Sequence, residues 1–217
     1  MNRNLIYALI AVAIVAAGVG AFSLGSFLQA RSSLNTSTST TNVSAGNTDI
    51  GPAPQGLAGT RFADPVDVSQ VSLTGPQGEV SMNELGKPML VFFGFTHCPD
   101  VCPLTLSNLA QMYEELGSED FGVMMITVDP DDTPEITNAY ASGFHPDFIG
   151  LSGSNSELAT ALKAFYIGSR ELPDGLFTHT GAVIVLDEAG RMRYVYSESS
   201  IAELEQDLPV ILDELKG

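Results

Sequence analysis

Residues Val91 to Thr105 read VFFGFTHCPDVCPLT, and the fold is decided by how this stretch is read. Ahead of its cysteines, Met89 to Phe95 is a nearly unbroken apolar run, the pattern of a strand buried on both faces. After them, Pro103 suits the first turn of a helix, where a missing N–H costs nothing. Leu104, Leu109, Met112, Tyr113 and Leu116 then recur at helical spacing, which predicts a helix over about 103–116. Both cysteines of the chain, Cys98 and Cys102, therefore fall between the C-terminal end of a strand and the N-terminal end of a helix. There the helix dipole and unpaired backbone N–H groups are expected to favour a thiolate over a thiol.

Outward from this unit, Asp67 to Leu73 and Glu79 to Met82 flank a Gly75-Pro-Gln-Gly78 turn, which predicts a hairpin. Phe121 to Val128 is a second buried strand, closed by Asp129-Pro130. Thr133, Pro134 and Glu135 form a helix start whose helix runs to about Ser142. Ser156 is read as the cap of a further helix over Glu157 to Tyr166. Gly181 to Leu186 is a third buried run, followed by a turn and an alternating strand over Arg191 to Tyr196. Ser200 and Glu203 have the spacing of a capping box for a last helix, inside which Pro209 predicts a kink or break. The parallel βαβ unit and the C-terminal antiparallel hairpin predict an α/β thioredoxin-like sandwich with an N-terminal β-hairpin extension.

Leu5 to Leu28 carries no charge and is long enough to cross a bilayer, which takes about 20 apolar residues. Its length favours a retained membrane anchor over residues 1–30, the alternative being a cleaved signal peptide with Ala16, Ala17 and Gly18 near the cut. The absence of an Arg-rich leader points to a bacterial cell envelope, with the globular part facing outward. Residues 31–60 are rich in Ser, Thr, Asn and Gly and read as a flexible linker to a domain over 61–217. From Arg61 onward there are 25 acidic and 7 basic residues, a balance that argues against nucleic acid and anionic lipid headgroups as partners.

A disulfide between Cys98 and Cys102 would close a very small loop and remove little unfolded-chain entropy, so reactivity or metal binding explains the pair better. On a helical turn their Cβ atoms would lie about 5–6 Å apart, wide for a disulfide and comfortable for two thiolates on one ion. Of the three histidines, His97 is expected to point away from Cys98, and His145 reads as a solvated loop residue. His179 stands just before the buried strand 182–186, in the loop where thioredoxins place a cis-proline; here the nearest preceding proline is Pro173. Two thiolates and one imidazole suit copper, Cu(I) in particular, whereas structural zinc would want a fourth ligand.

The strings FGFTHCPDVCPLTL and ITVDPDDTPE, and the histidine before an apolar strand ending LDEAG, resemble the SCO/SenC family of copper-binding, membrane-tethered thioredoxin-fold proteins. The resemblance covers about residues 62–217. It implies a copper site of Cys98, Cys102 and His179, loaded by a copper donor protein. It also implies a role in assembling the dinuclear copper centre of cytochrome c oxidase subunit II, from the bacterial inner membrane with the soluble domain in the periplasm. Two departures stand out. VDPDDTPE is one residue shorter than the usual segment and lacks its basic residue, and Thr178 and Thr180 flank His179 where Asp and Ser are commoner. Two other readings of the same cysteines are a thiol–disulfide oxidoreductase, with Cys98 attacking and Cys102 resolving, and a peroxide-reducing enzyme or redox sensor.

Overall fold

The central pair of strands is the one the apolar runs predict. The structure is a computed structural model, and it describes residues 56–116 and 119–216. β4 (Met89–Gly94) is buried at every position, and so is β5 (Gly122–Thr127). They run parallel in register from Met89 opposite Gly122 to Gly94 opposite Thr127. α1 (Val101–Leu116) is the crossover between them, burying Cys102, Thr105, Leu106, Leu109, Met112 and Tyr113 at helical spacing. On the other side of β4 lies β9 (Ala182–Leu186), antiparallel, and then β10 (Arg191–Ser197).

Two strands that the sequence pattern did not suggest, β1 (Thr60–Asp67) and β6 (Ile149–Leu151), close the sheet, which has the order β1-β10-β9-β4-β5-β6. β1 is an edge strand with half its residues exposed, and its pairing with β10 is interrupted between Arg61 and Val66. Pro65 lies in that interruption, which only an edge strand tolerates. β1 is tied down by ionic contacts. Arg61 Nη2 is 2.7 Å from Glu214 Oε1 on α4 (Ile201–Lys216), and Arg193 and the Tyr194 hydroxyl of β10 bond the same carboxylate. β6 (Ile149–Leu151) is short because α2 (Pro134–Ser142) lies on it; a Cβ on Gly150 would come within 2.2 Å of the Thr137 carbonyl oxygen.

The domain also starts earlier than composition suggests. Ala58 N–H donates to Asp207 Oδ2 at 2.7 Å, and Tyr196 OH donates to the same oxygen at 2.8 Å. Residues 56–60, read above as the end of a linker, are thus docked on α4. The expected membrane anchor and residues 31–55 of the linker lie outside the described residues. Among the described residues, no helix is long and apolar enough to cross a membrane.

The N-terminal hairpin is present as β2 (Ser72–Gly75) and β3 (Gly78–Ser81), the first strand lying later than expected and the second one residue earlier, and it follows β1 rather than starting the domain. Three local expectations are corrected. α3 spans Asn155–Ala164 and is capped by Ser154, not Ser156, through a capping box with Glu157. Ser200 ends a 3-10 turn over Glu198–Ser200 and its hydroxyl donates to the Ser197 carbonyl, so the box with Glu203 does not form. α4 continues through Pro209 without a break, held by the burial of Leu204, Asp207, Leu208 and Ile211 on one side. The Thr133 cap and Pro134 at the start of α2 are as the sequence predicts.

Asp132, in the loop after β5, links the sheet to the cysteine loop. Its carboxylate is 5% exposed as a residue and accepts from Thr96 N–H at 2.9 Å, Thr96 Oγ1 at 2.5 Å and Thr127 Oγ1 at 2.8 Å. Asp132→Ala is expected to destabilise the protein by about 3 kcal/mol in denaturant melts, because two hydroxyls and a backbone N–H lose a charged acceptor. A change below about 1 kcal/mol would mean that the carboxylate contributes little.

Candidate metal centre

The C-terminal end of β4 opens onto a cleft of about 340 Å³ lined by Phe95, Cys98, Asp100, Phe177 and His179 among others. Cys98 sits in the loop before α1 and is half-buried, whereas Cys102 is in the first turn and has no exposed surface. Both thiols are unbridged. The two are not on one helical face as expected. The sulfur of Cys98 instead lies over the helix start and accepts from Cys102 N–H at 3.4 Å, in the manner of a capping side chain.

His179 arrives from the far end of the domain. It ends β8 (Phe177–His179), which pairs with β7 (Ser169–Glu171) in a hairpin placed beside the cysteine loop. Its Nε2 is 3.8 Å from Cys102 Sγ. Its Nδ1 is 3.3 Å from the Thr180 carbonyl, which can only accept, so the proton sits on Nδ1 and the Nε2 lone pair faces the sulfur. Phe92 and Phe95 present their rings to the imidazole at centroid distances of 6.2 and 6.0 Å, and Phe177 packs on Phe95. Two sulfurs and an sp2 nitrogen with an outward lone pair form a soft donor set.

Fold and site now stand beside a direct match. A family model described as SCO1/SenC fits residues 64–211. The chain belongs to the SCO1/SenC family. It is 32% identical over 157 residues to an SCO2-like protein of Rickettsia felis, a match covering 67% of this chain and 73% of that one. The solution structure of apo Sco1 from Thermus thermophilus superimposes with a TM-score of 0.64 at 38% identity, covering 73% of this chain and 96% of that one. The structure of Bradyrhizobium japonicum ScoI with copper bound gives 0.58 at 32% identity, over 68% and 97%. The thioredoxin-like α/β fold expected from the order of elements is the fold shared with these structures.

Electrostatics in this SCO1/SenC chain differ from the expectation at the helix start. Burial, and after it the bond with Cys98, pushes the Cys102 thiol well above its ordinary range. Desolvation outweighs the helix dipole, so Cys102 is a protonated thiol in the copper-free protein. Burial also lowers the pKa of His179, partly offset by its bond to the Thr180 carbonyl, which keeps the imidazole neutral and able to donate a lone pair. Tyr140 on α2 has its phenol pushed up to about 12, chiefly by burial.

The folded protein holds the Cys102 proton more tightly than the unfolded chain does. The resulting stabilisation is complete below about pH 9 and is lost as pH rises through and beyond that value. Denaturant melts are expected to show a loss of about 2 kcal/mol between about pH 9 and pH 11 that a Cys102→Ala protein lacks. Tyr194 and Tyr196 are also raised by burial and contribute the same slope to both proteins. Identical pH profiles would contradict a desolvated thiol.

The other histidines are elsewhere. His97 lies in the turn after β4, with Nε2 3.2 Å from the Gly175 carbonyl and Nδ1 3.7 Å from Asp129 Oδ2, so neither nitrogen serves the sulfurs. His145 is not solvated. Its Nε2 is 3.0 Å from Glu114 Oε1, its ring packs on Tyr113 and Phe148, and its side chain is 12% exposed. Sequence reasoning missed the β7–β8 hairpin that delivers His179, although Pro173-Asp174-Gly175 is a turn signal and Gly175 has a φ of 82°.

Proposed function

We propose that this protein is a copper carrier in which Cys98, Cys102 and His179 hold the ion. The observation that carries the reading is the 3.8 Å approach of His179 Nε2 to Cys102 Sγ between residues 77 positions apart. Copper is favoured over a harder metal because two of the three donors are sulfur. It is favoured also because a relative that superimposes over 68% of this chain is described with copper bound. The donor set leaves room for an incoming ligand, as a cargo site needs and a closed structural site does not. By resemblance to its family, the cargo goes to the dinuclear copper centre of cytochrome c oxidase subunit II. The protein would then be tethered by Leu5–Leu28 to the bacterial inner membrane, with the domain in the periplasm, and would take copper from a donor protein there.

Metal analysis of protein from copper-replete cells, with an ultraviolet–visible spectrum, tests the carrier reading. The expected result is one copper per chain and a thiolate-to-Cu(II) charge-transfer band after oxidation. Copper-free protein without such a band would sink it. A second reading, thiol–disulfide exchange that keeps the oxidase cysteines reduced, is favoured by one observation: Cys98 reaches solvent and Cys102 does not. A Cys98 thiolate would attack a partner disulfide and release one partner thiolate. Cys102, losing its proton, would then displace the other and leave a Cys98–Cys102 disulfide.

A further inference from the structure

Gly94 ends β4 directly behind the candidate metal centre, fully enclosed, with its carbonyl accepting from Val128 N–H at 2.7 Å. A Cβ placed there would lie 3.0 Å from Cys102 Sγ and 2.7 Å from Cε1 of Phe92, with Met125 Cε at 3.4 Å. The two closest atoms belong to the two groups that back His179. Cys102 Sγ is the 3.8 Å neighbour of Nε2, and the Phe92 ring meets the imidazole edge-on at 6.2 Å. The φ of Gly94 is not in the left-handed region, so the backbone does not require glycine at this position. The space does.

We propose that Gly94 is a positioning residue: the hydrogen in place of its side chain is the seat of the Cys102 sulfur. One methyl group here would push the sulfur aside by a few tenths of an ångström and displace the Phe92 ring that packs on His179. A carbon and a sulfur in contact rest about 3.5–4.0 Å apart, so a gap of 3.0 Å cannot be absorbed without moving one of them. Cys102 is anchored through the first turn of α1, which leaves its side chain as the part that gives way. The effect on copper rests on the carrier reading above; the seat itself rests only on the packing.

The test uses Gly94→Ala in copper-free and copper-loaded protein. In copper-free protein, the alkylation rate of Cys102 relative to Cys98, followed by mass spectrometry, is expected to rise at least about fivefold as the sulfur leaves its enclosed position. Cu(I) affinity is expected to fall at least about tenfold in a competition titration. A double-mutant cycle separates the seat from general crowding: the Tm drop caused by Gly94→Ala should shrink by at least about half in a Cys102→Ala background. Should Gly94→Ala alone fail to fold, the same measurements are made with Phe92→Leu in every protein, which removes the ring overlap and leaves the sulfur overlap. An unchanged alkylation ratio together with an equal Tm drop in both backgrounds would overturn the proposal. If the ratio and the cycle respond as expected but the unaltered protein binds no Cu(I), the seat stands and the carrier reading falls; tight and equal Cu(I) binding by both proteins would instead overturn the positioning role of Gly94.

Discussion

A Cys98→Ser protein is expected to bind Cu(I) at least about a thousandfold more weakly than the unaltered protein, a loss of roughly 4 kcal/mol in a competition titration at neutral pH. The reason is chemical. A serine hydroxyl stays protonated at this pH and is a hard donor, so it replaces a thiolate in shape but not in bonding. The fold should survive, because Cys98 is half-buried, its backbone bond to the Phe95 carbonyl is untouched, and a serine oxygen accepts from Cys102 N–H at least as well as the sulfur does. Melts in the absence of copper should therefore agree within about 1 kcal/mol. Thiol–disulfide exchange should vanish in the same protein. Copper affinity within tenfold of the original would remove the thiolate pair as the cage.

His179→Ala should cost less copper and leave the redox chemistry standing. The loss of one imidazole donor is expected to weaken Cu(I) binding about a hundredfold, roughly 2.7 kcal/mol, while Cys98 and Cys102 remain oxidisable to a disulfide. This split is what separates the two readings of the site. A carrier needs the third donor; a dithiol reductase does not. The imidazole also packs between Phe92 and Phe95, so a modest drop in stability without copper accompanies the loss. The comparison of affinities is made on folded protein below its melting range. An unchanged copper affinity, with the dithiol intact, would take His179 out of the site and leave thiol exchange as the function.

Much of this was legible in the chain, for reasons particular residues make plain. Met89–Gly94 and Gly122–Thr127 are buried on both faces, and a strand with no polar side has no competing reading at that length. Cys98, Cys102 and His179 stood out because soft donors are scarce here: two cysteines and three histidines in 217 residues. What stayed hidden was structure that only neighbours create. β6, β7 and β8 are three residues each, too short for any period to register, yet β8 is what carries His179 to the thiols. β1 contains a proline and is exposed at half its positions, and it is a strand because Glu214 and β10 hold it. Asp132 reads as one acid among several in VDPDDTPE. Its role comes from burial beside Thr96 and Thr127, which no local pattern encodes. The thiolate expected at Cys102 failed for the same cause: the helix end was visible in the sequence, but its depth was not.

That depth would give transfer a direction if the site carries copper. Cys98 and His179 meet the cleft, and Cys102 stands behind them with no exposed surface. On the carrier reading, a ligand brought by a recipient would compete first at the two outer donors, and the inner sulfur would be the last to let go. Loading would run in reverse, with Cys98 and His179 meeting the ion before the buried thiol gives up its proton. One door would then serve both directions, which a symmetric pair of exposed thiols would not impose.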